Sequence, residues 1–110
     1  MLNMKDSSIK EFKKRLFSLI KEKAFFKERI ILSSGKQSDY YIDARLITLT
    51  SEGSWLAANI ILDLVKEDIF DAIGGPTIGA DPILGAIALL GFINKKPINT
   101  FIVRKKPKAH

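Results

Sequence analysis

The feature that most restricts this chain is a run between Ile69 and Val103 that spells strand, glycine-rich turn, apolar helix and strand. Ile69 to Ile73 reads as a short buried strand, and Gly74-Gly75-Pro76 breaks it. Ala80 to Phe92 is a helix apolar on nearly every side, Pro97 ends the connection, and Ile98 to Val103 reads as a further strand. That order is the βαβ unit of a parallel sheet. Right-handed crossover lays the helix across one face of the sheet. A helix that is apolar all round must be covered by more protein, and 110 residues leave little to cover it.

Upstream, Ser8-Ile9-Lys10-Glu11 has the form of a capping box, in which hydroxyl and carboxylate satisfy the free amides of a helix start. Ile9, Phe12, Leu16, Leu19 and Ile20 follow at helical spacing with lysines between them, so an amphipathic helix is expected to end near Ala24. Arg29 to Leu32 and Tyr40 to Asp43 read as two strands joined by the turn-forming stretch 33–39, a hairpin-like excursion. Thr50 or Ser51 caps a second helix that carries Trp55, Asn59, Leu62 and Val65 on one side. No repeat or linker interrupts this order, so residues 1–110 read as one domain.

Charge is distributed unevenly. Residues 1–36 balance to +6, residues 37–94 to −6, and residues 95–110 to +6. An acidic middle argues against an extended nucleic-acid surface. The lysines of the first helix suit a solvated face. With no cysteine in the chain, neither disulfides nor thiolate metal sites are expected. The longest apolar stretch, Ile83 to Ile93, falls short of the roughly 20 residues of a membrane span. No signal-type apolar run opens the chain. A soluble, cytoplasmic protein is the default expectation.

Three clusters could carry chemistry. Gly74 to Pro82 lies between a strand end and a helix start, where glycines let backbone amides approach an anion. It is neither a Walker P-loop nor a dinucleotide fingerprint, and taken alone it reads first as a tight βα turn. Arg104-Lys105-Lys106-Pro107-Lys108-Ala109-His110 follows a strand, the place where ligands bind in open α/β sheets. It reads either as a polyphosphate site or as a basic tail. Ser33 to Asp43 puts hydroxyls, Lys36, Tyr40 and Tyr41 in and beside a turn. They could grip a flat polar heterocycle, or the tyrosines could fill the two faces of a strand.

In combination the clusters are more informative. Residues 33–45 (SSGKQSDYYIDAR), 71–82 (DAIGGPTIGADP) and 101–110 (FIVRKKPKAH), with Leu49-Thr50-Ser51-Glu52-Gly53 between, occur in order. The set resembles the N-terminal half of orotate phosphoribosyltransferases, from about Phe12 onward. The resemblance implies an α/β fold, an incomplete type I phosphoribosyltransferase-like parallel sheet with flanking helices, an N-terminal helix and a hairpin. It implies transfer of ribose 5-phosphate from phosphoribosyl pyrophosphate to orotate, giving orotidine monophosphate and pyrophosphate, with Mg²⁺ as cofactor and a homodimer as the assembly. No protein metal ligands are assigned.

Carried over by position, Arg104, Lys105, Lys108 and His110 contact pyrophosphate. Lys108 and His110 are the catalytic pair, on a mobile loop that reaches the partner subunit's site. Gly75, Thr77 and Gly79 cradle the phosphates; Ser34, Lys36, Tyr40 and Tyr41 surround orotate. Some members of the family carry Lys where this chain has Gly79 or Ser33. The family's acidic strand and Thr/Gly-rich loop for ribose 5-phosphate have no counterpart within these 110 residues. The polypeptide alone is therefore expected to be poorly stable and essentially inactive. Two other functions stay open at this stage: a non-catalytic anion- or RNA-binding module on the same fold, and a phosphoribosyltransferase for another base.

Overall fold

The computed structural model describes residues 6–108. Helix α1 (Asp6–Leu19) runs on through one π-helical turn (Ile20–Ala24) and gives way to strand β1 (Phe25–Phe26). Short strands β2 (Ile30–Ile31), β3 (Gln37–Ser38) and β4 (Tyr41–Ile42) follow, then the single-turn helix α2 (Arg45–Thr48) and helix α3 (Ser51–Leu64). Strand β5 (Ala72–Pro76), helix α4 (Asp81–Ile93) and strand β6 (Asn99–Val103) complete the order.

The apolar stripe of α1 behaves as its spacing predicts. Ile9 and Leu19 are buried, while Lys10, Lys13 and Lys14 face solvent. The capping box does not form as read: the helix is already under way at Asp6, so Ser8 and Glu11 lie inside it. Buried Leu19, Ala24, Ile47 and Leu56 form the main core, with Phe12, Leu16, Ile20 and Trp55 packed around them. The Phe12 and Trp55 rings meet at 4.8 Å and 59°, a tilted geometry that favours the ring quadrupoles. Thr50 caps α3, its hydroxyl oxygen accepting from the Gly53 amide at 3.0 Å.

Arg15 ties α1 to α3 through a two-pronged pair with Glu52, Nε to Oε2 at 2.8 Å and Nη2 to Oε1 at 3.0 Å. Hydrogen bonding from Arg15 holds the Glu52 carboxyl below its usual value near 4.5. A carboxyl lowered in the folded state stabilises the fold fully above its unfolded pKa, and that contribution fades as pH falls through the folded one. Thermal unfolding followed from pH 7 down to pH 3 is therefore expected to fall less steeply below about pH 4.5 in Arg15→Gln than in the unmutated chain. Parallel curves would show that the pair adds nothing.

The βαβ unit is present, with its first strand displaced. β5 begins at Ala72, three residues later than the apolar run Ile69 to Ile73 predicts, and Gly74-Gly75-Pro76 lie within the strand instead of breaking it. Ile69 is fully exposed. The glycines belong there for a packing reason: a Cβ on Gly74 would run into the Phe101 ring of β6. β5 and β6 pair in parallel from Ala72↔Asn99 to Pro76↔Val103, and α4 packs between this pair and α3, burying Leu84, Ile87 and Gly91.

The excursion after α1 also differs from a simple hairpin. β2 pairs antiparallel with β3, but β4 pairs with β1, as Phe25↔Ile42 and Phe26↔Tyr41. A kink separates the two ladders, where the Ser38 hydroxyl donates to the Tyr40 carbonyl at 2.7 Å and accepts from the Tyr40 amide at 3.3 Å. The strands thus form three separate two-stranded ladders among the described residues.

Much apolar surface is left open. On α4, Leu89, Phe92 and Ile93 are exposed, and on β6 so are Phe101, Ile102 and Val103. The chain is broad and flat, 44 × 44 × 23 Å, with a radius of gyration of 15.9 Å, where a compact domain of this length has about 13 Å. Its surface of 8671 Å² compares with about 6,100 Å² for a compact monomer of this mass. No helix among the described residues is long and apolar enough to cross a membrane.

Candidate functional site

Because β5 and β6 are parallel and in register to their last residues, everything that follows either strand emerges at one edge of the pair. The Thr77 amide donates to the Val103 carbonyl at 3.0 Å, fastening the turn after β5 to the start of the basic segment. The turn is closed by Ala80 N–H to the Pro76 carbonyl at 2.9 Å and Asp81 N–H to the Ile78 carbonyl at 3.0 Å. Between these bonds the amides of Ile78 and Gly79 find no acceptor among the described residues. Gly79 has open space where a side chain would project, while a Cβ on Gly75 would sit 2.7 Å from that of Ala80. The Thr77–Ile78 peptide is cis.

The polar side chains of the turn pair with each other. The Thr77 hydroxyl donates to Asp81 Oδ2 at 2.8 Å. Asp81 Oδ1 is buried and has no hydrogen-bond partner. Arg104, Lys105, Lys106 and Lys108 are all exposed and follow β6, whose last residue bonds to this turn, and no acidic residue lies between Lys95 and the end of the chain. Unfilled amides just before α4 and a segment of four cations after β6 both favour an anion at this end. His110 lies outside the described residues.

The hairpin residues form a second cluster. Gly35 takes φ +87°, a value side chains rarely adopt. It turns the chain so that Leu32 N–H meets the Lys36 carbonyl and Gly35 N–H the Leu32 carbonyl, both at 2.8 Å. Ser34 and Lys36 project into solvent at this tip. Tyr41 lies in β4 and Tyr40 in the kink just before it. Tyr40 stacks on Phe25 at 5.5 Å, and Tyr41 on Phe26 at 4.9 Å. Burial, with the charge and hydrogen bonding of Glu28 beside it, raises the Tyr41 hydroxyl pKa above its ordinary value. Asp43 is lowered by its hydrogen bonds from Arg45, the closest at 3.1 Å.

The structure therefore brings Gly75, Thr77, Gly79 and Arg104 to one end of the parallel pair, and Lys105 and Lys108 follow on the segment that leaves it. It places Tyr41 on a ladder that pairs with neither β5 nor β6, and Ser34, Lys36 and Tyr40 in the turns beside such ladders. Sequence reasoning passed over two contributors. Phe25–Phe26 backs both tyrosines, and its only signal was an aromatic pair placed directly after a helix. Asp81 was quoted only as part of a motif, and its four-residue offset from Thr77 was the signal. Among the described residues no three of His, Asp or Glu gather as a metal cage.

No family model matches the chain. It is 41% identical to the orotate phosphoribosyltransferase of Bradyrhizobium diazoefficiens over 96 residues, which cover 87% of this chain and 51% of that protein. To the Aquifex aeolicus orotate phosphoribosyltransferase it is 51% identical over 79 residues, 72% of this chain and 43% of the relative. Over most of its length the chain is homologous to orotate phosphoribosyltransferases. The chain spans about half the length of these curated relatives. The fold agrees. The Mycobacterium tuberculosis H37Rv orotate phosphoribosyltransferase in complex with Fe(III) dicitrate superposes with a TM-score of 0.71 at 35% identity, covering 90% of this chain and 55% of that one. The same enzyme with 5-phospho-α-D-ribosyl 1-diphosphate superposes with a TM-score of 0.66 at 32% identity, over 86% and 54%. The architecture is phosphoribosyltransferase-like, a parallel pair with flanking helices, as the motif order predicts.

Proposed function

We propose that these residues supply the diphosphate-binding end and the base-binding hairpin of an enzyme that transfers ribose 5-phosphate from phosphoribosyl pyrophosphate to orotate. The observation that carries this reading is the Thr77 N–H to Val103 carbonyl bond, which fixes a turn with two unfilled amides against the root of a four-cation segment. In the transfer, a ring nitrogen of orotate bonds to the anomeric carbon of the ribose and gives up its proton to the released pyrophosphate or to solvent. The carbon–oxygen bond to pyrophosphate breaks, and pyrophosphate leaves with that electron pair. The ribose passes through an oxocarbenium-like state, so stabilising and positioning charge is the protein's main task.

In this scheme the Ile78 and Gly79 amides and Gly75 cradle the diphosphate. Arg104 and Lys105 hold it by charge-assisted hydrogen bonds. Lys108 and His110 act on the departing pyrophosphate from a loop, reaching the site of a second subunit in a homodimer. Tyr40 or Tyr41 stacks on orotate while Ser34 and Lys36 close its pocket. Each tyrosine already stacks on a phenylalanine, so a heterocycle would take the ring's other face. Magnesium keeps several waters and binds through one or two carboxylates plus substrate phosphates. In this turn the phosphates would have to hold it, since Asp81 has one carboxylate oxygen bonded by Thr77 and the other buried. When bound, the ion would neutralise charge on the leaving diphosphate.

Binding is the appropriate readout, since the chain spans about half of its relatives. Titration calorimetry of the chain with phosphoribosyl pyrophosphate and with orotate, in magnesium buffer, is expected to show saturable binding of both. Binding of phosphoribosyl pyrophosphate should weaken as salt rises. Binding of a purine base in place of orotate would redirect the reading to another phosphoribosyltransferase. Steeply salt-dependent RNA binding without either small ligand would replace it with a nucleic-acid module.

A further inference from the structure

The Thr77–Asp81 pair has a polarity that bears on what the turn can recognise. A hydroxyl has one proton to donate, and a carboxylate can only accept. Thr77 therefore commits its proton to Asp81 Oδ2, at 2.8 Å. What remains on its oxygen is lone-pair capacity. Phosphate oxygens are acceptors as well, so this hydroxyl has nothing to offer them, although the neighbouring Ile78 and Gly79 amides do. Thr77 is only half-buried, so part of the residue is open to a ligand at the turn.

We propose that Thr77 acts as a hydrogen-bond acceptor in the turn, recognising an O–H group carried by the diphosphate ligand instead of a phosphate oxygen, with Asp81 as the positioning residue that fixes this polarity. The inference rests on the diphosphate site proposed above and divides its labour: backbone amides take the phosphates, and the hydroxyl takes the donor that accompanies them. Two sources carry that chemistry, a water bound to magnesium or a ribose hydroxyl. The arrangement is self-consistent in charge. A carboxylate directly beside a phosphate would repel it, whereas here the hydroxyl separates the carboxylate from the ligand.

The test compares the chain with Thr77→Val and Thr77→Ser by titration calorimetry. Three probes are used: pyrophosphate with chelator, pyrophosphate with magnesium, and phosphoribosyl pyrophosphate with chelator. In alkaline buffer, where pyrophosphate has shed its last proton, the first offers no O–H donor, the second adds metal-bound water, and the third adds ribose hydroxyls. Affinities are compared as ratios within one protein, where a reduced folded fraction cancels. Thr77→Val is expected to lose about three- to tenfold for one donor-bearing probe relative to metal-free pyrophosphate, the range of one neutral hydrogen bond. Thr77→Ser should retain the original ratio. A loss confined to the magnesium probe identifies metal-bound water, and one confined to metal-free phosphoribosyl pyrophosphate identifies the ribose. An equal loss for all three probes, or no loss for any, would overturn the proposal. Failure of the unmutated chain to bind any probe would instead remove the diphosphate site itself, and this inference with it.

Discussion

Gly53→Ala is expected to destabilise the chain by about 3 kcal/mol, lowering its thermal midpoint by at least ~12 °C. In an exposed helix the same change stabilises by up to about 1 kcal/mol, because glycine has more conformational freedom to lose. Here the sign reverses on steric grounds. Gly53 is buried in the first turn of α3, and a Cβ there would be driven into the backbone carbonyl of Ile47. That carbonyl cannot move aside. It accepts the Thr50 hydroxyl at 2.6 Å and the Thr50 amide at 3.0 Å, and Ile47 itself belongs to the core. Gly85 in α4 is the control, with open space where its Cβ would go; Gly85→Ala should leave the midpoint unchanged or raise it slightly. Thermal unfolding by circular dichroism reads both. An unchanged midpoint for Gly53→Ala would mean that α2 and α3 do not meet as closely as described.

The second large effect concerns the basic segment. Replacing Arg104 and Lys105 together with alanine is expected to weaken pyrophosphate binding about 100-fold, since each charge-assisted hydrogen bond contributes at least ~1.5 kcal/mol. Both side chains are exposed, so the fold should be unaffected. The useful comparison is Lys10→Ala with Lys13→Ala, which removes the same net charge from the solvent face of α1. If the segment is a site, that pair changes affinity by no more than about twofold at physiological salt, because exposed charges farther off than a Debye length are screened. Equal losses from the two double variants would mean that overall positive charge attracts pyrophosphate, with no particular role for this end of the sheet.

The parts that were legible in the sequence are those where chemistry follows period. The apolar spacing from Ile9 to Ile20 placed α1, Thr50 marked the start of α3, and strand–turn–helix–strand order predicted the parallel pair. Local signals misled where packing overrode them. Gly74-Gly75-Pro76 reads as a breaker, yet in the fold Gly74 makes room for the Phe101 ring, a reason visible only once β6 lies alongside. Ser8 and Glu11 have the right spacing for a cap but sit within a helix that began earlier. The pairing of Phe25–Phe26 with Tyr41–Ile42 was hidden because a two-residue strand carries no period. As for the site, its residue types could be named, but juxtaposition could not. Joining the turn after β5 to the segment after β6 takes the parallel register, and joining Thr77 to Asp81 takes the first turn of α4.

Pro76 gives the bare side of the parallel pair an uneven capacity to grow. Since the Thr77 amide points toward β6, alternation along the strand turns the nitrogens of Ala72, Gly74 and Pro76 the other way. The first two carry a hydrogen to offer and the third has none. A neighbouring strand added on that side can zip along the lower part of β5 but loses its last donor one residue below the turn. The sheet can be widened there without a new strand climbing over the turn between β5 and α4.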